Sequence, residues 1–323
     1  MKLIIVTGMS GSGKSTTAQN IAKLTNKAEI PYKWYHEEMK DHPIRWANGG
    51  EFKVANLKTE EGMQKNIEDL FNRWETFVSA IQKEGGTHIM EGCLYQNIIR
   101  YFFTGGYPDH LVLEFYDRLM QLLAPVNPHI LFLYSRNVKE TLQKAFETRG
   151  ENWEKLIMTP DGESYFNENP YVDDNSIYQM WEDYRDLSNS AFERFKGKKL
   201  RLEIQNTEEE WKEHLEKIAF FLDLPFLTGD PMLLKSAEKY CGHLYDMNQN
   251  KTFLKIIKDP SDLCFSTSWF HKIKMIPTSD DSFELSAFPV TLTYDFSEST
   301  PTVTIDGNYG WNLNGETFYV KKC

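Results

Sequence analysis

Residues 1–24 read MKLIIVTGMSGSGKSTTAQNIAKL, and this stretch decides the fold of the first part of the chain. Leu3–Thr7 is a short apolar run that is typical of a buried strand. Residues 8–15, GMSGSGKS, fit the pattern G-x-x-x-x-G-K-[ST], and Thr16–Leu24 carries apolar residues near helical spacing. A strand, a glycine-rich turn and a helix in this order predict a phosphate-binding loop, because a chance glycine-rich turn rarely has both neighbours.

The residue types of this loop suit an anion for physical reasons. Its glycines allow backbone conformations that a Cβ would hinder, so several N–H groups can face one anion. The helix that begins at Lys14 adds the positive end of its dipole. The Lys14 ammonium can reach the β- and γ-phosphates of a nucleotide, and the Ser15 hydroxyl can join the shell of Mg²⁺. We therefore expect ATP and Mg²⁺ as cofactors.

The composition limits the class of protein. A chain of 323 residues can hold two domains with a sizeable core, and 41% hydrophobic residues predict a globular protein. The formal net charge of −11 argues against broad electrostatic binding to nucleic acid or to an anionic membrane. The net charge does not exclude a local basic patch. No apolar run reaches the length that spans a bilayer, and the first residues do not resemble a signal peptide.

The four cysteines, Cys93, Cys241, Cys264 and Cys323, show no paired spacing. They fit neither a zinc site nor a disulfide framework. We therefore expect reduced thiols in a cytoplasmic protein.

Strand-like and helical stretches alternate up to about residue 225, which predicts a parallel sheet covered by helices. The strand-like runs are Leu3–Thr7, Tyr32–His36, Thr87–Glu91, His129–Tyr134 and Leu200–Ile204. The stretch LPFLTGDPM then suits a linker, with a short helix expected at Met232–Lys239. Evenly spaced short strands follow, which predict an antiparallel sandwich or barrel. The expected organisation is an α/β domain at 1–225, followed by a linker helix and an all-β domain at 226–323.

The first domain is more similar to kinases than to GTPases. GTPase switches carry N-K-x-D and D-x-x-G motifs, and neither is present at its expected place. The stretch PYKWYHEEMKDHPIRW, residues 31–46, resembles the deoxynucleoside kinases, in which a strand ends in Glu followed by Pro and Trp. The resemblance implies that Glu37 or Glu38 is the general base for an acceptor hydroxyl, with Pro43 and Trp46 downstream. The alternative is a solvated acidic turn, and the sequence does not decide between the two glutamates.

The third strand ends in Glu91, in the stretch THIMEGCLYQN. An acid at this place can hold Mg²⁺ through water or orient the nucleophile, whereas an unpaired buried carboxylate is costly. Deoxynucleoside and thymidylate kinases have an acid at the corresponding place, usually followed by Arg. Here Gly92 follows, so the acceptor class stays open.

Residues 131–153, LFLYSRNVKETLQKAFETRGENW, resemble the lid of the same kinases. The resemblance implies that Arg149, with Arg136 and Lys144, closes over the phosphates and neutralises developing charge. The alternative is a solvated basic helix face. After the fifth strand, Asn206 and its neighbours are expected to line the adenine, while Thr207 also suits a helix N-cap with Glu210 three residues on.

The last hundred residues resemble the small β domain that follows some serine hydrolases of the penicillin-binding type. Tyr240, Gly242 and Tyr245 carry the likeness, together with Pro277 and Phe283. We see no catalytic constellation in this part of the sequence. A structural, dimerising or substrate-covering role is therefore expected, and a homodimer is one of the arrangements considered.

Together these patterns predict transfer of the γ-phosphate of Mg·ATP to a hydroxyl or phosphate of a small molecule, such as a nucleoside, a nucleotide or a sugar-like antibiotic. The alternatives are an ATP-binding or ATP-hydrolysing regulator whose β domain contacts a protein, and a nucleic-acid 5′-end kinase, against which the charge argues. The expected catalytic residues are Lys14, Glu37, Glu38, Glu91 and Arg149, and the expected metal ligands are Ser15 and Glu91. The expected nucleotide contacts are Gly8, Met9, Ser10, Gly11, Ser12, Gly13, Lys14, Ser15, Thr16, Arg136, Lys144 and Asn206.

Overall fold

A computed structural model of the chain describes residues 1–45, 59–159, 163–204, 208–225, 237–260, 262–268, 270–307 and 313–322. The chain divides into two compact units. The first comprises Met1–Leu142 and Met158–Phe226, and the second comprises Gln143–Ile157 and Leu227–Cys323. Residues 143–157, which the sequence analysis placed in the first domain, thus group with the second unit. The predicted linker helix at Met232–Lys239 lies mostly outside the described residues.

The first unit is built on a parallel sheet, as the alternating pattern predicted. Its strands are hydrogen-bonded in the order β2-β3-β1-β4-β5. The central strand carries Leu3 to Val6, which are fully buried because helices cover both faces of such a sheet. The strands are β1 (Lys2–Gly8), β2 (Tyr32–Tyr35), β3 (Thr87–Glu91), β4 (Pro128–Ser135) and β5 (Lys198–Ile204).

Helices follow the strands and pack their apolar stripes against the sheet. Ile21 of the first helix and Ile218 of the last join Ile4 and Val6 of β1 in one buried cluster. The helices are α1 (Lys14–Lys27), α2 (Glu60–Glu84), α3 (Gln96–Thr104), α4 (Asp109–Leu123), α5 (Val138–Arg149), α6 (Glu151–Met158), α7 (Glu163–Glu168), α8 (Asp174–Arg194) and α9 (Glu208–Leu222). Helix α5 begins in the first unit and ends in the second.

The parallel sheet brings the chemically important residues to one edge. Parallel strands place their carboxyl ends together, and ligands bind outside that edge. In the register of β1 and β3, Val6 pairs with Glu91. The loop that follows β1 and the acid that ends β3 are therefore neighbours.

The second unit contains a closed antiparallel barrel, which decides between the two all-β arrangements that the sequence predicted. The barrel closes in the order β10-β11-β12-β13-β6-β7-β8-β9. Its interior is filled by alternate side chains such as Leu244, Phe265, Phe283 and Leu292, as in other small barrels. The strands are β6 (Gly242–Tyr245), β7 (Lys251–Asp259), β8 (Asp262–Ser266), β9 (Ile273–Pro277), β10 (Ser282–Leu285), β11 (Thr291–Asp295), β12 (Thr302–Asp306) and β13 (Glu316–Lys321).

The residues that carry the likeness to the hydrolase-associated domain are part of the barrel's packing. The buried Tyr240 ring lies 4.8 Å from the Phe283 ring, and Phe283 pairs with Pro277 across β9 and β10. A Cβ at Gly242 would lie 2.6 Å from the carbonyl oxygen of Lys321, so the close approach of β13 requires glycine. These contacts stabilise the barrel.

Two findings concern membrane spans and cysteines. Among the helices that the structure describes, none is both long and apolar enough to cross a membrane. Among the residues described, Cys93, Cys241 and Cys264 form no disulfide bond, and Cys323 lies outside the described residues.

Candidate active site

The glycine-rich loop after β1 has the backbone of an anion-binding turn. Gly8, Gly11 and Gly13 all have positive φ, at 152°, 80° and 85°. Within the loop, the Met9 carbonyl accepts hydrogen bonds from Ser12 N at 3.3 Å and from Lys14 Nζ at 3.1 Å. No side chain of the described residues caps the first turn of α1, because its N-cap is Gly13. The N–H groups of this turn can therefore bind an anion.

The remaining loop residues are positioned by their neighbours. The Ser10 hydroxyl accepts a hydrogen bond from Gln96 Nε2 at 3.3 Å, and the Thr16 carbonyl accepts one from Asn20 Nδ2 at 2.9 Å. The Ser12 hydroxyl is buried and has no hydrogen-bond partner among the residues described. A buried hydroxyl in this state is rare in proteins, so Ser12 Oγ could bind a ligand in the loop.

Trp211, which the sequence analysis did not single out, lies against the loop. A Cβ at Gly13 would be only 2.5 Å from Trp211 Cη2, so glycine is needed to admit the indole ring. Trp211 belongs to the first turn of α9, and the edge of its ring meets His214 at 6.1 Å. The one sequence signal for this contact is an aromatic residue four positions after the predicted N-cap at Thr207.

Glu91 is the centre of the site. It is fully buried, and its Oε1 accepts a hydrogen bond from Ser15 Oγ at 2.8 Å and lies 3.3 Å from His36 Nε2. Its Oε2 has no hydrogen-bond partner in the described part of the chain. Burial, followed by the neighbouring Glu37 carboxylate, raises the pKa of Glu91 well above its usual range, while Ser15 and Lys14 act in the opposite direction. A cation at Oε2 would favour the charged form.

The donor set at this point fits Mg²⁺. Magnesium prefers oxygen ligands and binds through one or two carboxylates, with substrate phosphates and water completing its shell. Ser15 and Glu91 supply a hydroxyl and a carboxylate, and one oxygen of Glu91 is open to a ligand. No group of three or more metal-ligating side chains occurs among the described residues. A metal at this site would therefore depend on the phosphates that the loop holds.

Glu37 occupies the space where the kinase resemblance implies an arginine. Gly92 has φ 72°, and a Cβ at this position would overlap Glu37 Oε2 and lie 3.1 Å from Glu37 Cβ. Any side chain at 92 would displace the Glu37 carboxylate from its place beside Glu91. Glycine at position 92, where the resemblance implies arginine, thus has a steric reason: it leaves room for Glu37.

Glu38 is held differently. Its Oε2 lies 2.7 Å from Arg45 NH1, and its side chain is 41% exposed. Arg45 also donates to the Glu37 carbonyl at 2.5 Å, so this arginine fixes the turn that follows β2. The structure brings Glu37 and Glu91 together and leaves Glu38 in an ion pair at the surface. Trp46, which completes the Glu–Pro–Trp likeness, lies outside the described residues.

His42 stabilises the same turn as a neutral ring. Its Nδ1 accepts hydrogen bonds from the N–H groups of Ile44 and Arg45, each at 3.0 Å. Its Nε2, which then carries the proton, lies 3.3 Å from Cys93 Sγ. Burial, followed by the charge of Arg45, lowers the pKa of His42 to about 3. His36, His42 and Arg45 are thus site residues to which the sequence analysis gave no role.

The predicted lid residues are divided between the two units. Arg136, in the first, pairs with Glu203 at 2.9 Å, and 78% of its side chain is exposed. Lys144 and Arg149 belong to the second unit. There the Arg149 guanidinium lies 4.7 Å from the centre of the Trp153 ring and 5.3 Å from that of Phe270. Asn206 lies outside the described residues.

The strand order, the loop after β1 and the acid that ends β3 define a P-loop nucleotide-binding domain with a kinase-type sheet, followed in this chain by the antiparallel barrel. Residues 4–159 match the family described as the AAA domain, a match that spans just under half of the chain. No curated protein matches the sequence.

Several solved structures are similar to the chain. An unliganded sugar kinase from Janibacter sp. HTCC2649 is 13% identical, with a TM-score of 0.36 over 69% of this chain and 95% of its own. The deoxyadenosine kinase from M. mycoides with bound dATP is 13% identical, with a TM-score of 0.38 over 68% and 98%. A GTPase from Pyrococcus abyssi is 14% identical, with a TM-score of 0.26 over 68% and 96%. At these values the likenesses carry no argument about the reaction.

Proposed function

We propose that the chain is an ATP-dependent phosphotransferase, which moves the γ-phosphoryl group of Mg·ATP to a hydroxyl or phosphate group of a small molecule. One observation carries this proposal: the fully buried Glu91 is hydrogen-bonded to Ser15 of the phosphate loop at 2.8 Å, with the Glu37 carboxylate beside it. A nucleotide-binding loop needs no second carboxylate at this place, whereas phosphoryl transfer needs a group that accepts the proton of the acceptor.

The loop residues hold and polarise the triphosphate. Lys14 Nζ already lies within the loop, where it donates to the Met9 carbonyl, and its charge can stabilise the β- and γ-phosphates. Bound Mg²⁺, held by Ser15 and Glu91, would neutralise charge on the same oxygens. Trp211 lies against Gly13 of the loop, and in this proposal its ring borders the bound nucleotide.

Glu37 is the proposed general base. Its carboxylate accepts the proton of the acceptor hydroxyl as that oxygen attacks the γ-phosphorus, while the bond to the β-phosphate oxygen breaks and ADP leaves. Arg45 holds the backbone of Glu37 through a 2.5 Å hydrogen bond to its carbonyl. In this assignment Glu38 belongs to the ion pair that supports the turn.

The remaining assignments stay part of the proposal. Arg149, with Arg136 and Lys144, provides cations that neutralise charge on the transferring group. Asn206 stays the predicted contact to the adenine. A small alcohol of the nucleoside, nucleotide or aminoglycoside kind is the expected acceptor.

A screen for ADP release over nucleosides, nucleotides and aminoglycoside-type compounds tests this function. We expect ADP to form in proportion to one class of acceptor, with an equal amount of phosphorylated product. Lys14→Ala should lower turnover by at least about 10²-fold, because it removes a donor to developing charge. Lys27→Ala, which removes an exposed lysine at the other end of α1, is the matched control and should leave turnover unchanged.

Two results would overturn the proposal. The first is ADP formation that ignores every small acceptor and responds to an added protein, which is the behaviour of an ATP-dependent regulator. The second is full activity of the Lys14→Ala variant, which would place the reaction elsewhere than at the loop.

A further inference from the structure

Three neighbouring strands of the barrel present an ordered set of outward side chains. In one row across β13, β6 and β7, Lys321 pairs with His243 and His243 with Lys255. In the next row, Tyr319 pairs with Tyr245 and Tyr245 with Lys251. The alternate residues of these strands, such as Leu244, Ile256 and Val320, fill the barrel core, so the two rows face outward. We call these two rows, together with Phe253 of β7, the basic–aromatic face.

The lysines of this face differ from other lysines of the barrel. Among the described residues, Lys251, Lys255 and Lys321 form no ion pair with a carboxylate; Lys321 Nζ donates to Gln249 Oε1 at 2.6 Å. By contrast, four other barrel lysines each have an acidic partner: Lys239 with Asp281, Lys258 with Glu238, Lys272 with Asp259 and Lys274 with Asp262. The face therefore carries positive charge that no neighbouring carboxylate of the described residues neutralises, in contrast to the other lysines named here.

Two further observations agree with this charge. Burial, followed by the charges of Lys251 and Lys255, lowers the pKa of His243. The carboxylate nearest along the chain, Asp246 in the β6–β7 turn, accepts hydrogen bonds from the backbone of Asn248 and from Asn250. The Asp246 carboxylate is thus hydrogen-bonded within the β6–β7 turn and forms no ion pair with the lysines of the face among the described residues.

Phe253 is the most exposed aromatic side chain of this face. Phe253 lies on β7 between Lys251 and Lys255 and is 87% exposed. The Tyr245 ring carries Lys321 Nζ at 4.5 Å from its centre, and Tyr319 is its neighbour on β13. Cations and flat aromatic surfaces thus alternate over three adjacent strands.

We propose that the basic–aromatic face binds single-stranded nucleic acid. Proteins that bind single strands combine a cationic surface along the backbone with aromatic rings on which bases stack. Here Lys251, Lys255 and Lys321 contact phosphates, and Phe253 stacks on a base. A protein partner fits less well, because lysine is depleted in protein–protein interfaces. The net charge of −11 opposes general binding to nucleic acid, so the attraction is confined to this face.

Fluorescence anisotropy with labelled dT20 and U20 oligonucleotides, full-length chain and a salt series from 50 to 200 mM tests the proposal; the two oligonucleotides distinguish DNA from RNA. We expect binding whose affinity falls as salt rises. In the double variant Lys251→Ala with Lys255→Ala, the slope of log affinity against log salt should shrink by about 1.4, since each phosphate contact on a single strand contributes about 0.7. Phe253→Ala should weaken binding about tenfold through loss of stacking.

The controls remove the same kinds of side chain from other surfaces. Lys274→Ala removes a paired lysine from β9, and Phe220→Ala removes a phenylalanine that is 88% exposed on α9. Both should bind oligonucleotide as the unaltered chain does. Lys14→Ala should also keep binding, which separates this face from the phosphate loop and makes the test independent of the proposed reaction.

Three outcomes would overturn the proposal. These are no binding of either oligonucleotide at 50 mM salt, an unchanged salt slope in the folded double lysine variant, and binding that Lys14→Ala abolishes. Vesicles of phosphatidylserine and phosphatidylcholine serve as a competing target. If the chain binds them through Lys251 and Lys255 and does not bind the oligonucleotides, the face is a membrane contact and the proposal is wrong.

Discussion

The Glu37 carboxylate lies against the α-carbon of Gly92, in space that any side chain at position 92 would fill. This contact allows a carboxylate that follows β2 to approach Glu91 at the end of β3. The absence of a side chain at position 92 therefore admits the Glu37 carboxylate to the site. A substitution at Gly92 would therefore displace the proposed base, Glu37, and change the surroundings of the proposed metal ligand, Glu91.

Substitution of Gly92 by Ala should lower turnover by at least about tenfold, which corresponds to about 1.4 kcal/mol of lost transition-state stabilisation. The added Cβ overlaps Glu37 Oε2 and forces the proposed base out of position. Steady-state turnover and urea unfolding would be measured together. The chain offers a close control in Gly85→Ala, because Gly85 has φ 71° and a Cβ there would meet no atom within 4 Å.

Both positions have positive φ, 71° at Gly85 and 72° at Gly92, which a residue with a Cβ rarely adopts. The Gly85 variant therefore reports the effect of a Cβ at positive φ without the overlap with Glu37. Equal turnover in the two variants would show that the position of Glu37 does not matter for the reaction.

The two glutamates after β2 should respond differently to the same change. Glu37→Gln should reduce kcat by about 10²–10⁴-fold, the usual contribution of a general base. Glu38→Gln removes one partner of an ion pair with Arg45, and such pairs contribute about 0–1 kcal/mol when partly exposed, so we expect less than about a threefold effect. Turnover at saturating acceptor is the measurement. The reverse order of effects would move the role of base to Glu38.

His42 predicts a loss of stability in acid. Its pKa is lowered to about 3 in the folded chain, whereas an unfolded histidine protonates near 6.5. Between these values the unfolded chain binds more protons, so the free energy of unfolding falls as the pH decreases below 6.5. From pH 7 to pH 5 this group alone should remove about 2 kcal/mol.

Urea unfolding at the two pH values, for the unaltered chain and for His42→Asn, would check this prediction. Asparagine keeps an acceptor for the backbone N–H groups of Ile44 and Arg45 but has no titrating ring. The variant should lose less stability between pH 7 and pH 5 than the unaltered chain. An identical loss in both proteins would show that His42 is protonated to the same extent in the folded and the unfolded chain.

Trp211 should report nucleotide binding through its fluorescence. Its ring contacts Gly13, so phosphates and a base bound at the loop would change its surroundings. The chain has 8 tryptophans, and we expect Trp211→Phe to remove most of the emission change that ATP produces. Trp74→Phe, at a fully buried position of α2, is the control and should keep that change. If the Trp211 variant keeps the full ATP response, the nucleobase of ATP binds away from Trp211.

The sequence predicted those parts of the site that depend on neighbouring residues. The loop from Gly8 to Ser15 and the acid that ends β3 are local patterns, and parallel pairing of β1 with β3 brings them together. Which of Glu37 and Glu38 approaches Glu91 was not predictable in this way. It depends on Gly92, which is far along the chain, and on the pairing of Glu38 with Arg45.

The other features that the sequence left open also depend on distant contacts. Alternating residues predict strands, but the pairing of β13 with β6 is what closes the barrel, and periodicity carries no information about it. Trp211 meets Gly13 across about 200 residues of chain, as their numbers show. No local pattern predicts such a contact.

Helix α5 ends in a different unit from the one in which it begins, and this has a consequence for dissection of the protein. The segment 143–157 is bound to the barrel side of the chain through Asn152, which donates to the Ser268 carbonyl at 2.8 Å, and through Arg149 on Phe270. A single cut near residue 226 would thus leave this segment behind without its neighbours. The two halves of the molecule are interleaved along the polypeptide, so neither can be excised as one continuous piece.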